Sequence, residues 1–407
     1  EEGMVLTPAR SRSTAWQPLG EQLAAGLIVY TAAAMVLGRA APESMGMTPL
    51  MGALVLLLLG NLRREPLTGG CLVLLMLSLR DLLKGDGRYG PEELTLTDVL
   101  LVMIAFAATV LASRGFWQTF QGLLAAVLPA VGAVAWTLQL GSMDQPFAAG
   151  HLTAPQSTVV FGLCLCYATV KLSTSLGRAR QARGGRWILA SLLWSVCGIL
   201  AGRLVVASGG PPSLLLVGMA LLLAKLSGWI RRRQNQSLWA AGLLAALLLS
   251  ATGAAVFLGP PSLIGGPAAV RERLSLLGCF FHAPFRKVEW FVHGVGFTNS
   301  STWLCETVRS GERMIQADNV LAQLAADTGM LTVLVLSCLL LWMVRRIWLL
   351  SGPQADPVVE ASLGGALYLL LVGQTANGWG QSTLIQVLLG LQLAALGLRI
   401  PQQNVAP

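Results

Sequence analysis

The sequence is poor in charged residues. Only 12% of its 407 residues are Asp, Glu, Lys or Arg, whereas soluble domains carry roughly 25%. Hydrophobic residues make up 54% of the chain. This composition excludes the soluble classes and predicts an integral membrane protein.

Histidine is scarce, and a nucleotide-binding loop is missing. The chain has three histidines, and His282 and His293 have no matching third ligand nearby for zinc. Without a phosphate-binding loop, a cytoplasmic ATP-driven pump is disfavoured. We therefore predict no metal and no cofactor. The net charge of +9 resides in short connectors between apolar runs, which is typical of membrane topology rather than nucleic-acid binding.

The apolar residues fall into runs long enough to cross a bilayer. Because backbone inside a membrane must satisfy its own hydrogen bonds, these runs must be helical. We predict an all-α, polytopic membrane helical bundle of about twelve transmembrane helices with one long polar loop. The predicted parts are an N-terminal tail at 1–22, nine spans within 23–258, the loop at 259–329, three spans within 330–398 and a C-terminal tail at 399–407.

Basic residues mark alternate connectors. They are Arg63-Arg64, Arg114, Arg178, Arg180, Arg183, Arg186, Arg231-Arg232-Arg233 and Arg345-Arg346. The positive-inside rule places these connectors and both termini in the cytoplasm, and the long loop on the outer side. No cleavable signal peptide is predicted before the first span.

Cysteines divide into two groups. Five lie in apolar runs, where the simplest interpretation is a small buried hydrophobic residue; they are Cys71, Cys164, Cys166, Cys197 and Cys338. Cys279 and Cys305 lie in the outer loop, where an oxidising compartment allows a disulfide bond. The alternative is two unpaired thiols too far apart to bridge.

Three arginines are candidates for binding a phosphate group. Arg203 lies near the outer end of an apolar run, where it either faces a cavity or partner or extends its side chain to the surface. Arg271 and Arg273 directly follow another apolar run. Arginine binds phosphate through paired hydrogen bonds, although a basic surface that only attracts lipid headgroups is the alternative.

Glycines and polar residues in the loop form a spaced pattern. It consists of His293-Gly294-Val295-Gly296, then Asp318-Asn319, then Gln323-Leu324, and finally Asp327-Thr328-Gly329-Met330. Glycine permits a tight turn or close backbone approach. At the start of a helix, Asp318 either caps that helix or acts as a base.

In this order, the pattern resembles the O-antigen ligase and O-antigen polymerase superfamily of integral membrane glycosyltransferases. Members carry a Gly-x-Gly turn in a long periplasmic loop, then a His-Asn pair opening a helix, then an acid-x-Gly-Leu element at the next span. Upstream, Ala154-Pro155-Gln156-Ser157 looks like the family's Asn-Pro-Asn-type turn. Arg203 looks like its arginine near a span end, and Arg271 or Arg273 like its loop arginine.

The resemblance implies transfer of a glycan from an undecaprenyl-pyrophosphate donor to an acceptor sugar hydroxyl, at the periplasmic face of the bacterial inner membrane. A polymerase uses another lipid-linked glycan as acceptor, and a ligase uses the lipid A-core. Arg203 with Arg271 or Arg273 would neutralise the departing pyrophosphate, and Asp318 would orient or deprotonate the acceptor. The expected substrate-binding residues are His293, Gly294, Gly296, Asn319 and Gln156.

One departure from the family concerns its usual histidine, which is Asp318 here. Either Asp318 substitutes for it, although a carboxylate is a weaker base than an imidazole, or His282 or His293 reaches the site. Loss of activity is the third alternative.

A transporter or flippase for a lipid-linked or anionic saccharide is the alternative function. Many spans and an intramembrane arginine fit that class. The two halves of the chain show no internal repeat of the kind that many transporters carry, which disfavours it.

Overall fold

The computed structural model describes residues 16–38, 48–61, 112–138, 146–182, 185–233, 275, 277–295, 322, 325–326, 329–331, 333–334, 357–373, 388 and 391. These residues are almost entirely helical and include no strand. The all-α class is therefore confirmed for the part of the chain that the structure describes.

The helices begin and end as follows. They are α1 Trp16–Leu37, α2 Thr48–Asn61, α3 Arg114–Leu138, α4 Ala154–Ala182, α5 Gly185–Gly209, α6 Pro212–Arg233, α7 Val288–His293 and α8 Pro357–Gly373. A 3-10 helix, Ala283–Phe285, precedes α7.

Within the described ranges, four helical segments are long and apolar enough to cross a membrane. They are Leu19–Leu37, Gly115–Leu138, Ala154–Gln181 and Gly185–Gly209. Pro212–Lys225 and Pro357–Gly373 are shorter apolar helices. The chain is thus a membrane-embedded helical protein. The total of about twelve spans stays a prediction, because residues 62–111, 234–274 and 335–356 lie outside the described residues, as do the tail 399–407 and most of the loop.

Helix α4 lies at the centre of the bundle and contacts α3, α5, α6 and α8. Gly162 on α4 lies directly under the ring of Tyr368 on α8, where a Cβ atom would collide with that ring. The Tyr368 hydroxyl donates a hydrogen bond to the Thr158 carbonyl, 2.8 Å away. Small residues of this kind allow close helix packing inside membranes, and the bond satisfies a buried hydroxyl.

The polar contacts between helices define two ends of the bundle. The first, here called the loop end, contains Gly38, the segment 146–153 and the turn between α5 and α6. Two backbone hydrogen bonds join these parts: His151 N–H donates to Met35 O at 3.0 Å, and Phe147 N–H donates to Ala207 O at 2.9 Å.

The opposite end, here called the basic end, contains the N-terminal ends of α1, α3 and α8. The Glu21 carboxylate accepts bonds from the hydroxyl and N–H of Ser113. Lys225 on α6 pairs with Glu360 on α8 at 3.7 Å.

The connection from α4 to α5 also lies at the basic end. The guanidinium groups of Arg178 and Arg186 lie 4.9 and 5.1 Å from the ring centre of Trp187. Tryptophan and arginine are typical of a membrane–water interface. The described helices thus collect connector arginines at one end, as the alternation of the sequence predicts.

Candidate functional site

The first part of the candidate site is the start of α4 at the loop end. The Gln156 side-chain oxygen accepts a bond from Thr153 N–H at 2.9 Å, and the Thr153 hydroxyl accepts one from Gln156 N–H at 3.4 Å. These reciprocal bonds form a capping box. The Gln156 side chain is only 3% exposed, so in this structure its amide stabilises the helix start.

Segment 146–153 is fixed against the ends of two helices. Ala149 N–H donates to the Ser157 hydroxyl at 2.9 Å. Gly150 has φ +60° and Gly38 has φ +64°, and a Cβ on Gly38 would lie 3.1 Å from the Gly150 Cα. Both residues occupy the left-handed region that glycine adopts without steric cost. These contacts hold the segment at the loop end, and His151 within it is exposed.

Arg203 lies on the outward face of α5, six residues before the helix ends at Gly209, or about 9 Å along the axis. Its side chain is exposed, as are those of Val196 and Ile199 on the same helix. Within the described residues, no ion pair with Arg203 is present. Both alternatives for Arg203 stay open: a bound anionic group, or extension to the membrane surface.

The second part of the candidate site is the turn after α7. Gly294 has φ 72° and ψ −171°, and its N–H bonds to the Trp290 carbonyl, which ends the helix. This backbone region is essentially restricted to glycine. The next residue, Val295, donates its N–H to the Ala326 carbonyl at 2.9 Å. The Gly294 turn is therefore attached to the segment that follows the predicted catalytic residues.

Gly329 forms the other side of this contact. It has φ +89°, and its N–H bonds to the Ala325 carbonyl at 3.1 Å. A Cβ at Gly329 would lie 2.7 Å from the backbone carbonyl of Val292 and 2.8 Å from the Phe291 oxygen. Only glycine allows such an approach. The two glycine elements of the sequence pattern thus lie against each other.

A small apolar cluster supports these two turns. Its buried members are Phe280, Ala283, Ala322 and Ala326. Cys279 packs against this cluster and is disulfide-bonded. Its partner lies outside the described residues, so the pairing with Cys305 stays a prediction. Cys164, Cys166 and Cys197 are buried free thiols, as predicted for them.

Several predicted site residues lie outside the described part of the chain. They are Arg271, Arg273, Gly296, Cys305, Asp318 and Asn319, together with the side chain of His293. Among the described residues, no group of three His, Cys, Asp or Glu side chains could hold a metal ion.

Two structural contributors to the site were not predicted from the sequence. Thr153 is the capping partner of Gln156, and its Thr-x-x-Gln spacing is a capping-box signal visible in the sequence. The backbone of Phe291 and Val292 packs on Gly329, but no residue pattern marks a backbone surface of this kind.

No protein-family model, curated protein or solved structure matches this chain. The class that the fold defines is a membrane-embedded helical protein. A proposal about its reaction therefore depends on the residues themselves and on the contacts between them.

Proposed function

We propose that this protein is a membrane glycosyltransferase, acting as an O-antigen or polysaccharide polymerase or as an O-antigen ligase. It moves a glycan from undecaprenyl pyrophosphate to an acceptor sugar hydroxyl. The observation that carries the proposal is the contact between the Gly294 turn and the Gly329 turn. Separate elements of the family-like pattern meet there, and Asp318-Asn319 lies between them in the sequence.

The proposed topology has about twelve spans in the bacterial inner membrane, with the loop 259–329 in the periplasm. Two observations support it. Arg178 and Arg186 lie at the basic end of the bundle, which fits a cytoplasmic location under the positive-inside rule. Cys279 in the loop is disulfide-bonded, which fits an oxidising compartment.

In the proposed reaction, the acceptor hydroxyl oxygen bonds to the anomeric carbon of the donor sugar. The bond from that carbon to the diphosphate oxygen breaks, and its electron pair leaves with the diphosphate. Asp318 accepts the hydroxyl proton. Arg203 and Arg271 or Arg273 stabilise the negative charge that develops on the leaving group, and one such donor typically contributes a factor of roughly 100 to 1,000 in rate.

The remaining residues hold the substrates or the site. Gly294 and Gly296 carry no side chains, so the backbone there lets the sugar approach closely. His293 and Asn319 are the proposed polar contacts to that sugar. Gln156 acts through its capping contact with Thr153, which fixes segment 146–153 at the loop end, rather than through a free amide.

The proposal predicts that Arg273→Ala abolishes glycan transfer in cells while the protein still inserts into the membrane. The matched control is Arg309→Ala, which removes the same charge elsewhere in the loop and should leave transfer nearly unchanged. Glycan ladders on a gel report transfer, and immunoblotting of membranes reports insertion. Normal ladders from Arg273→Ala would contradict the assignment of Arg273, and normal ladders from Arg271→Ala as well would contradict any role of these two loop arginines.

A ladder assay in a deletion strain also separates the two acceptors. Loss of long chains with one repeat still attached indicates a polymerase, and bare core indicates a ligase. Movement of an intact lipid-linked saccharide across the membrane, without transfer, would instead support the transporter alternative.

A further inference from the structure

Helix α7 and the 3-10 helix before it expose an apolar surface. Phe285 is 59% exposed, Val288 86% and Val292 51%. Val288 and Val292 lie one helical turn apart and so share one side of α7. These three residues are here called the α7 apolar face. Fully solvated, such a face would lose the free energy that burial of apolar side chains provides.

Basic and aromatic residues flank the α7 apolar face. Arg286 and Lys287 are exposed, and the Lys287 ammonium lies 4.7 Å from the ring centre of Trp290. Tryptophan and basic side chains favour the level of lipid headgroups. Together with exposed apolar residues, they make the composition of a helix that lies in the membrane interface.

The C-terminal end of α7 is already anchored. The backbone of Phe291 and Val292 packs on Gly329, and Val295 bonds to Ala326. The side chains of Val288 and Val292 nevertheless stay exposed. The contacts that anchor α7 therefore leave this face uncovered.

We propose that the α7 apolar face lies in the boundary between headgroups and acyl chains of the membrane. The chain is membrane-embedded, so a bilayer is always within reach of its connectors. Arg286 and Lys287 complement the phosphates of anionic lipids. Helix α7 is six residues long, about 9 Å, which suits shallow insertion rather than a span.

Shallow insertion sets the depth of the Gly294 turn, which directly follows α7. If the proposed function holds, the turn meets the diphosphate of a lipid-linked donor at headgroup depth, where that diphosphate resides. Only this consequence rests on the proposed function, because the membrane contact itself is independent of any reaction.

The test places an environment-sensitive fluorophore at residue 288 or 289 of the full-length protein. Val288→Cys and Glu289→Cys are labelled separately in nanodiscs of phosphatidylcholine and phosphatidylglycerol. Glu289 is the matched control, since it is the exposed polar neighbour of Val288. The unsubstituted protein, treated identically, gives the background from native thiols such as the buried Cys164.

We expect spin-labelled lipid to quench the probe at residue 288 at least severalfold more than aqueous iodide does, and the reverse order at residue 289. Equal quenching of both positions by iodide would overturn the proposal. Protection of residue 288 from both quenchers would also overturn it, since protein rather than lipid would then cover the face. Lipid quenching without any glycan transfer would refute the proposed function and leave the membrane contact standing.

Discussion

Gly294 adopts a backbone conformation, φ 72° and ψ −171°, that residues with a Cβ atom avoid. Gly294→Ala should therefore raise the energy of the native turn by about 1–3 kcal/mol and weaken the bond from Val295 N–H to Ala326. The measurement is hydrogen exchange at the Val295 amide, which should become roughly 10-fold to 100-fold faster.

Gly278→Ala is the control for this change. Gly278 is helical, and beyond its chain neighbours and its own helix backbone no atom lies within 4 Å of the position of its added Cβ. Alanine favours helix over glycine, so this variant should exchange no faster at Val295. Equal acceleration in both variants would contradict a special conformation at Gly294.

The side chain of Gln156 stabilises the start of α4. In the structure its side-chain oxygen accepts a bond from Thr153 N–H. Gln156→Ala should lower the free energy of unfolding by about 1 kcal/mol, whereas Gln156→Glu keeps the acceptor oxygen and should retain most of the stability. Thermal unfolding of the purified protein measures both. Equal stability of all three proteins would show that the cap contributes nothing.

At the scale of elements, Gly162 determines how closely α8 approaches α4. A side chain at this position collides with the Tyr368 ring. Gly162→Val should destabilise the bundle by about 1–3 kcal/mol through overpacking. Replacing the Tyr368 ring with a smaller side chain in Gly162→Val/Tyr368→Leu should recover part of the lost stability, because the two positions are in contact.

The control for Gly162 is Gly198→Ala on α5, whose added Cβ meets only the Ala168 Cβ at 3.9 Å. This ordinary contact should be tolerated. The unfolding temperatures of Gly162→Val, Gly162→Val/Tyr368→Leu and Gly198→Ala measure these differences in stability. If Gly198→Ala were as damaging as Gly162→Val, the close approach of α8 would not be the cause.

Hydropathy predicts the existence of these helices better than their length. The apolar run in this part of the chain extends over about Ser157–Leu176, but α4 extends over Ala154–Ala182. An apolar run marks only the part of a helix inside hydrocarbon. The helix begins earlier at the Thr153 cap and continues past the apolar run through polar residues such as Arg178 and Arg180.

The pairing of helices could not be predicted from the sequence. Tyr368 and Gly162 are far apart along the chain, and neither lies in a pattern that identifies its partner. The same holds for Gln121, whose amide donates to the Val358 carbonyl at 3.0 Å and the Ser362 hydroxyl at 2.8 Å. Such contacts depend on the complete arrangement of the bundle rather than on local preference.

The candidate site was predictable where a residue type has one physical use. Glycines at positions 294 and 329 indicated turns or close approach, and in the structure Gly294 ends α7 while Gly329 packs on the backbone of Phe291 and Val292. Gln156 was harder to interpret, since an amide serves equally well as a cap or as a ligand. The roles of Asp318, Arg271 and Arg273 stay predictions, because these residues lie outside the described part.

At the scale of the whole molecule, the proposed function requires the C-terminal end of α6 and the long loop to lie on opposite sides of the membrane. Ser300→Cys should react with a membrane-impermeant maleimide in intact spheroplasts, and Gln236→Cys should react only after the membrane is permeabilised. The reverse pattern would place the loop arginines in the leaflet opposite the donor, and the proposed chemistry would then be impossible.

The most direct measurement is glycan transfer by the purified protein in nanodiscs, with a synthetic undecaprenyl-pyrophosphate glycan and a sugar acceptor as the only additions. The account predicts a new glycosidic product with release of undecaprenyl pyrophosphate, and a rate reduced roughly 100-fold or more in Asp318→Asn. A correctly folded protein that forms no product from polymerase or ligase acceptors would contradict it.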